Sequence, residues 1–332
     1  MRLKPIAKQV IVITGATSGI GLATARMAAK QGARVVLAAR NEQALQALQK
    51  ELNIGGSEQA VYVVADVARE EDVRKISEQA MRAFGGFDTW FNNAAAAIYG
   101  RIEDVSIEDQ QRLFETNFWG TVLGSRIALE HLRRHGGALL NMGSVVSDRA
   151  VPLQGPYSAS KHAVKGFTDA LRMEVEADGA PVSITLIKPG SIDTPHSKHA
   201  KNYMDVEPEA TGPVYSPRVV AKAVLHAAEH PVRDVLVGAG AKAMSVGGTY
   251  MPRLTDKLME RTLLKSPQAS RPAQEHADAL YGPTNGLDER GDHRGRVFDS
   301  SAYTYASLHP IAACAAIFVM AFTAGWVLRR GR

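Results

Sequence analysis

The sequence predicts an α/β protein with a doubly wound parallel sheet. Short apolar runs alternate with helical patterns over residues 1–240, which is the order that repeated βαβ units produce. The first run, residues 10–13, is wholly apolar, as expected of a strand that is buried on both faces of a sheet. A glycine-rich turn follows this run directly, and polar residues follow the later runs. Because ligands bind outside the carboxyl ends of such strands, we expect those residues to meet at one edge of the sheet.

The glycine-rich turn after the first strand is a candidate dinucleotide-binding loop. Glycines at positions 15, 19 and 21 allow a tight turn and let backbone amides approach a pyrophosphate, and the following helix N-terminus adds partial positive charge. A plain strand-to-helix turn is the alternative interpretation. The residues predicted to contact the cofactor in this loop are Thr14, Gly15, Thr17, Ser18, Gly19, Ile20 and Gly21.

The end of the second strand, residues 34–39, indicates which dinucleotide binds. An acidic residue there would accept a hydrogen bond from the ribose 2′-hydroxyl of NAD, but Arg40 follows this strand and can bind a 2′-phosphate instead. We therefore expect NADP, with a solvated arginine as the alternative. At the end of the third strand, Asp66 can accept a hydrogen bond from the adenine amino group or cap the next helix, and Val67 adjoins it.

Tyr157 and Lys161 are one helical turn apart, so their side chains are expected on the same face of a helix. A phenol has a pKa near ~10, which is too high for acid–base work at neutral pH, and a neighbouring ammonium favours the phenolate and lowers that pKa. Tyr157 can then exchange a proton with a carbonyl or alcohol oxygen. The spacing alone is weak evidence because solvated helix faces produce it too, but the motifs upstream strengthen it.

Several segments together resemble the short-chain dehydrogenase/reductase family over about residues 6–240. They are the glycine motif at residues 14–21, Asn92-Asn93-Ala94 and the Tyr157-x-x-x-Lys161 pair, and they occur in the family's order. One departure is Ala95, where the family usually has glycine. The resemblance implies a Rossmann fold, an oxidoreductase that needs no metal, and a homodimer or homotetramer.

The resemblance also implies roles for individual residues. Ser144 would hydrogen-bond the substrate oxygen, and Tyr157 would be the general acid in reduction and the general base in oxidation. Lys161 would bind the nicotinamide ribose and lower the pKa of the tyrosine, and Asn117 would anchor a water that links Lys161 to solvent. The cofactor contacts expected beyond the glycine loop are Arg40, Asp66, Val67, Asn93, Ala94, Tyr157, Lys161, Pro189, Gly190, Ile192 and Thr194.

The composition of the chain argues against several other classes of protein. The chain has 332 residues, 45% of them hydrophobic, with a net charge of +5 and the single cysteine Cys314. An intrachain disulfide framework is therefore excluded, and a reducing compartment is expected. The absence of a basic patch interleaved with aromatic residues argues against nucleic-acid binding. The N-terminus has no signal-peptide pattern, so we expect the catalytic domain in the cytoplasm.

Three further segments are predicted after the catalytic domain, residues 1–240. Residues 241–265 contain a row of basic residues beside an apolar face, which suits a helix at a membrane interface or one docked on the domain. Residues 266–310 have few aliphatic side chains and predict a polar linker. Residues 311–328 are uncharged and are followed by arginines, which predicts a transmembrane or membrane-anchoring helix, with a buried core helix as the alternative.

These observations predict an NADP(H)-dependent oxidoreductase that interconverts a carbonyl and an alcohol, with Tyr157 as the general acid or base. A membrane tether would bring the site near lipophilic carbonyl substrates. Two alternatives are an NAD-linked alcohol dehydrogenase and a nucleotide-binding scaffold or sensor without catalysis. The complete set of Asn117, Ser144, Tyr157 and Lys161 argues against the scaffold, because an idle site needs none of them.

Overall fold

The computed structural model describes residues 2–56, 58–208, 210, 212–264, 272–273, 277–311 and 313–314. The strands in these ranges are β1 (Val10–Thr14), β2 (Arg34–Ala39), β3 (Ala60–Val64), β4 (Thr89–Asn92), β5 (Ile98–Tyr99), β6 (Gly137–Met142), β7 (Val182–Pro189), β8 (Lys201–Asn202), β9 (Val214–Tyr215), β10 (Asp234–Val237) and β11 (Val297–Phe298). The α-helices are α1 (Gly19–Lys30), α2 (Glu42–Leu52), α3 (Glu70–Phe84), α4 (Ile107–Phe114), α5 (Gly120–His135), α6 (Gly155–Ala177), α7 (Pro217–Glu229), α8 (Ala239–Tyr250), α9 (Pro252–Met259) and α10 (Ala302–Leu308).

Seven of the described strands form one parallel sheet in the order β10-β7-β6-β4-β1-β2-β3. Strand β1 pairs with β2 on one side and with β4 on the other. The chain therefore winds outward from β1 through β2 and β3, and then returns to the opposite side of β1 at β4. This reversal opens a crevice at the carboxyl ends of β1 and β4, where ligands of such sheets bind. The predicted doubly wound, Rossmann-type sheet is confirmed.

Helices cover both faces of the sheet, which explains why β1 is apolar throughout. Ile11 and Ile13 pack into a core beneath α1, α2 and α7. Val10 and Val12 point the other way, into a second core with α3, α5 and α6. Successive side chains of a strand alternate between faces, so a strand enclosed by helices on both sides needs apolar residues at every position.

The predicted basic helix over residues 241–265 is divided in the structure. Helix α8 ends at Tyr250 and α9 begins at Pro252, because a proline has no amide hydrogen to continue the helix and disfavours helical geometry in the residue before it. The side chains of Leu254 and Leu258 are 64% and 61% exposed, so α9 presents an apolar face to solvent. Its predicted place at a membrane interface stays a prediction.

Residues 277–308 differ from the polar linker that the sequence predicts. Leu280 is fully buried in a small apolar cluster, β11 pairs with β9, and α10 packs against β10 and α7. The composition is poor in aliphatic residues, as expected, but hydrogen bonds and ion pairs attach this segment to the domain. We call residues 277–291 the strap.

The predicted membrane helix, residues 311–328, lies outside the described residues except for Ile311, Ala313 and Cys314. Within the part of the chain that the structure describes, every helix is too short or too polar to cross a bilayer. Membrane attachment through this segment therefore stays a prediction.

Candidate active site

A cavity of about 540 Å³ follows the carboxyl edge of the sheet, where the sequence predicts the site. It extends from the glycine loop past Tyr157 to the segment after β7. Among the predicted site residues, Thr14, Gly21 and Asn117 do not line it. The predicted residues that do line it are Gly15, Thr17, Ser18, Gly19, Ile20, Arg40, Asp66, Val67, Asn93, Ala94, Ser144, Tyr157, Lys161, Pro189, Gly190, Ile192 and Thr194.

Thr14 and Gly21 shape the glycine loop on the side that faces away from the cavity. The Thr14 hydroxyl accepts hydrogen bonds from the amides of Asn93 and Ala94, at 2.9 and 3.1 Å. A Cβ at Gly21 would collide with the carbonyl oxygen of Gly15, and one at Gly15 would come within 2.9 Å of Ala94 Cα. Gly15 also has a left-handed φ of +65°. The loop therefore packs backbone to backbone against the end of β4, which leaves its other side open to the cavity.

Arg40 lies at the cavity wall, and only one of its two terminal nitrogens has a hydrogen-bond partner among the described residues. Its Nη2 donates to the carbonyl oxygen of Ala279 at 2.5 Å, whereas its Nη1 is buried and has no hydrogen-bond partner among the described residues. Burial lowers the pKa of Arg40, and the neighbouring Asp66 opposes this shift. A buried cationic donor without a partner is costly, so this geometry fits an anionic ligand such as a 2′-phosphate.

Asp66, at the same wall, accepts hydrogen bonds from two other groups of the protein. Its Oδ2 accepts from Nη2 of Arg112 at 2.5 Å, and its Oδ1 accepts from the amide of Ala68 at 3.0 Å. The residue that caps α3 is Arg69. Of the two roles open for Asp66, helix capping is therefore not observed, and its contact with adenine stays a prediction.

Asn117 belongs to a π-helical turn, Glu115–Trp119, that separates α4 from α5. Such turns are rare and are frequent at functional sites. The side chain is fully buried; its Oδ1 accepts from the amide of Ala96 at 2.8 Å, and its Nδ2 donates to the Ala96 carbonyl and to Ser160 Oγ. Asn117 thus connects the loop after β4 to helix α6, which carries Tyr157 and Lys161. The predicted water held by Asn117 stays a prediction.

The catalytic candidates converge at the start of α6. Tyr157 lies in the first turn of this helix, and its hydroxyl hydrogen-bonds the side chain of Ser144, which follows β6. Lys161 is one turn further along the helix and is 2% exposed. Its Nζ donates to the Met142 carbonyl at 2.9 Å and lies 5.8 Å from the centre of the Tyr157 ring. A hydroxyl pair and a buried ammonium therefore share one wall of the cavity.

The pKa of Tyr157 moves in the direction opposite to the one predicted. Burial raises it above the usual phenol value, and the nearby Tyr99 adds to the effect, whereas the hydrogen bond from Ser144 opposes it. Burial also lowers the pKa of Lys161 to about 8. The predicted lowering of the Tyr157 pKa is therefore wrong, because removal of water from the phenol outweighs the hydrogen bond that favours the phenolate.

Two cavity residues were missed by the sequence analysis. His196 has a buried Nε2 without a hydrogen-bond partner among the described residues, and its ring centre is 5.6 Å from that of Tyr157. Burial, together with Lys161, lowers the pKa of His196 to about 4, so its ring is neutral. Tyr99 hydrogen-bonds Gln154, and burial raises its pKa to about 12. The sequence signal for His196 is its position just after Thr194, at the end of a cofactor-contacting segment.

A family model described as short chain dehydrogenase matches residues 9–204. The chain belongs to the short-chain dehydrogenase family. Within the described residues, His, Cys, Asp and Glu side chains form no group of three or more that could hold a metal ion.

Curated relatives of this short-chain dehydrogenase include oxidoreductases of known and unknown substrate. The uncharacterized oxidoreductase YxnA of Bacillus subtilis is 49% identical over 321 residues, which is 96% of this chain and 90% of the relative. The 11-beta-hydroxysteroid dehydrogenase A of Sesamum indicum is 40% identical over 190 residues, or 57% of this chain and 54% of the relative.

Solved structures similar to this dehydrogenase contain either nicotinamide dinucleotide. A short-chain dehydrogenase/reductase from Burkholderia phymatum, in complex with NAD, is 25% identical with a TM-score of 0.67, covering 76% of this chain and 96% of its own. An alcohol dehydrogenase from Thermococcus sibiricus, complexed with 5-hydroxy-NADP, is 28% identical with a TM-score of 0.61, covering 69% and 95%. A nicotinamide dinucleotide cofactor is thereby supported for this family member.

Proposed function

We propose that this protein is an NADP(H)-dependent oxidoreductase that interconverts a carbonyl and an alcohol. The observation that carries the proposal is the buried hydrogen bond between Tyr157 and Ser144, with the Lys161 ammonium on the same cavity wall. The nicotinamide would exchange a hydride directly with the substrate carbon. The protein's task is then to hold the substrate oxygen and to move one proton.

Each candidate has a distinct role in this chemistry. In reduction, the Ser144 hydroxyl donates a hydrogen bond to the substrate oxygen while the Tyr157 hydroxyl transfers its proton to that oxygen. The raised pKa of Tyr157 suits this direction, because the free protein keeps the phenol protonated. Lys161 has three N–H donors and gives one to Met142, which leaves donors for the ribose hydroxyls. Oxidation runs the same steps in reverse.

Arg40 supports NADP over NAD. Its Nη1 is a buried donor without a protein partner in the described residues, and a 2′-phosphate would supply two to three strong acceptor oxygens there. The 2′-hydroxyl of NAD offers a neutral partner to the same group. An NAD-linked dehydrogenase is the alternative, since one of the similar structures binds NAD.

The walls around Tyr157 favour an apolar substrate. Val145, Val146, Val151 and Met244 form an apolar cluster that includes the Tyr157 ring. A relative named for hydroxysteroid chemistry agrees with a lipophilic ketone or alcohol. We therefore propose that the substrate carries its carbonyl on a large apolar skeleton.

A substrate panel tests this function. Ketones of increasing apolar size would be incubated with NADPH, and the matched alcohols with NADP, while absorbance of the reduced nicotinamide is followed. We expect kcat/KM to rise with apolar size, by roughly tenfold for each one or two methylene groups buried. Absence of turnover throughout the panel, or a preference for small charged substrates, would contradict the proposal.

We also propose that the protein forms a homodimer or homotetramer through the π-helical turn and α6. Trp119 and Met173 on these elements are 53% and 60% exposed, so both elements present a large apolar side chain that a second copy of the chain could cover. Sedimentation of the wild type, Trp119→Ser and Met173→Lys would test this. Met81→Lys, on α3, is the matched control because Met81 is also exposed, at 45%. A wild-type monomer at micromolar concentration would contradict the assembly.

A further inference from the structure

The strap lies across the glycine loop, at the end of the cavity opposite Tyr157. The amide of Leu287 donates to the Thr17 carbonyl at 2.6 Å, and the amide of Gly19 donates to the Asp288 carbonyl at 2.9 Å. These two bonds attach the strap to the backbone of the loop itself. The Gly19 amide, which the sequence analysis assigned to the cofactor, is thus used by the strap.

The strap also reaches the wall that carries Arg40. The Ala279 carbonyl accepts from Arg40 Nη2, and the Thr284 carbonyl accepts from Asn41 Nδ2 at 2.8 Å. Both strap residues, together with Pro283, line the cavity. Because Ala279 fixes one edge of the guanidinium group, the unpartnered Nη1 is held in one place at the wall.

Two anchors hold the strap near its ends. Leu280 is fully buried, and its carbonyl accepts from Arg112 Nε at 3.0 Å. Glu289 pairs with Arg26 at 2.9 Å and with Arg218 at 3.0 Å. The section between these anchors therefore has fixed ends, and it can move without release of the whole segment.

The section between the anchors fits tightly and is strained. Leu287 has a left-handed φ of +74°, a conformation that is costly for a residue with a side chain. A Cβ at Gly286 would lie 2.6 Å from Ala44 Cβ and 3.3 Å from the Thr17 carbonyl oxygen. Gly282, four residues earlier, has no atom within 4 Å of the corresponding position. Backbone strain of this kind occurs in segments that close over ligands and open again when the ligand leaves.

We propose that the strap is a wall of the cofactor site and that it opens for each exchange of the dinucleotide, so that it sets the rate of cofactor release. This inference rests on the proposed function of the same cavity. In the closed state, the Ala279 carbonyl positions Arg40 toward the phosphate, and residues 283–288 cover the glycine loop. Release requires the two backbone bonds to Thr17 and Gly19 to break.

A pair of glycine variants in the full-length chain tests the proposal. Gly286→Ala would push the strap away from Ala44 and Thr17, whereas Gly282→Ala adds the same methyl group in open space. NADPH bound to each protein would be displaced by excess NADP in a stopped-flow fluorimeter. We expect release from Gly286→Ala to be roughly tenfold faster or more, as overpacking of a tight contact predicts, and release from Gly282→Ala to match the wild type.

The possible results distinguish failure of the strap proposal from failure of the proposed function. Equal release rates for the two variants and the wild type, with NADPH bound in all three, would overturn the strap proposal alone. A wild-type chain that binds neither dinucleotide would overturn the proposed function as well. If Gly286→Ala does not fold, hydrogen exchange of the wild-type amides decides the question. Added NADPH should then slow exchange at Leu287 and Gly19 roughly tenfold, and unchanged exchange would overturn the proposal.

Discussion

The two ends of the cavity differ in which of their side chains carry charge. The end at the glycine loop gathers charged side chains. Arg112 donates to Asp66, and both Arg40 and Arg112 donate to backbone carbonyls of the strap. The end at Tyr157 instead buries Lys161 together with three groups that ionise poorly there. The raised pKa of Tyr157 and Tyr99 and the lowered pKa of His196 keep all three neutral near pH 7.

This difference separates recognition from chemistry. Charged partners at the loop end can bind a phosphate strongly and specifically, since charge-assisted hydrogen bonds are about twice as strong as neutral ones. At the other end, burial keeps a proton on the Tyr157 phenol beside the Lys161 ammonium, as the proposed proton transfer to a substrate oxygen requires. Variants at either end should therefore affect different measurable quantities.

Tyr157→Phe should abolish chemistry without loosening the cofactor. It removes the phenol hydroxyl, and with it the transferable proton, but leaves the ring in place, so we expect kcat to fall by roughly 10²–10⁴-fold while the Kd of NADPH changes little. Tyr305→Phe, at a side chain that is 64% exposed and remote from the cavity, is the control. Steady-state assays and fluorescence titration measure both quantities. A variant that retained a tenth of the wild-type rate would show that another group supplies the proton.

Arg40→Ala should change cofactor preference and leave the proton chemistry intact. A bidentate or charge-assisted contact contributes about 1.5–3 kcal/mol, so the wild type should bind NADPH roughly ten- to a hundredfold more tightly than NADH. The variant should bind both nearly equally. Titrations of both dinucleotides measure this. Equal affinity in the wild type would remove the distinction between the two ends.

Lys161→Met should stabilise the protein without cofactor at neutral pH. The folded-state pKa of about 8 lies below the ordinary lysine pKa of 10.5, so the folded state binds protons less readily than the unfolded chain. Stability should therefore rise with pH between these values, and the cost of burying the ammonium is fully present below about 8. Because one pKa unit is about 1.4 kcal/mol, we expect a gain of roughly 1–3 kcal/mol at pH 7 that shrinks toward pH 10. Urea unfolding across this range measures it, and a gain that grows with pH would contradict the assignment.

His196→Phe should have the smallest effect, on the substrate rather than the cofactor. If the buried Nε2 faces a polar group of the substrate, its loss costs about 0.5–1.5 kcal/mol, so KM should rise roughly two- to tenfold with kcat nearly constant. His196→Gln, which restores a polar atom, should recover part of this loss. A fall in kcat with unchanged KM would instead place His196 in the proton transfer.

Local patterns allowed much of the fold, and the placing of Tyr157 and Lys161 together at the cavity, to be predicted. The glycine loop is a short stretch between one strand and one helix, and Tyr157 and Lys161 are separated by one helical turn. Such features depend on backbone geometry and periodicity over a few residues, so the sequence displays them directly. The parallel order of strands follows from the same alternation, because crossover connections are right-handed and short.

Only the tertiary structure could reveal the strap and the direction of the pKa shifts. Arg40 and its partner Ala279 are 239 residues apart, and a segment poor in aliphatic side chains gives no periodic signal of where it packs. The pKa of Tyr157 depends on how much water surrounds the phenol, and that is fixed by residues from several elements. The sequence by itself determined which motifs lie at the carboxyl edge of the sheet, since their spacing is local, but it did not single out His196 and Tyr99. Contacts between distant segments decided their solvation and their partners, because burial is a property of the folded chain as a whole.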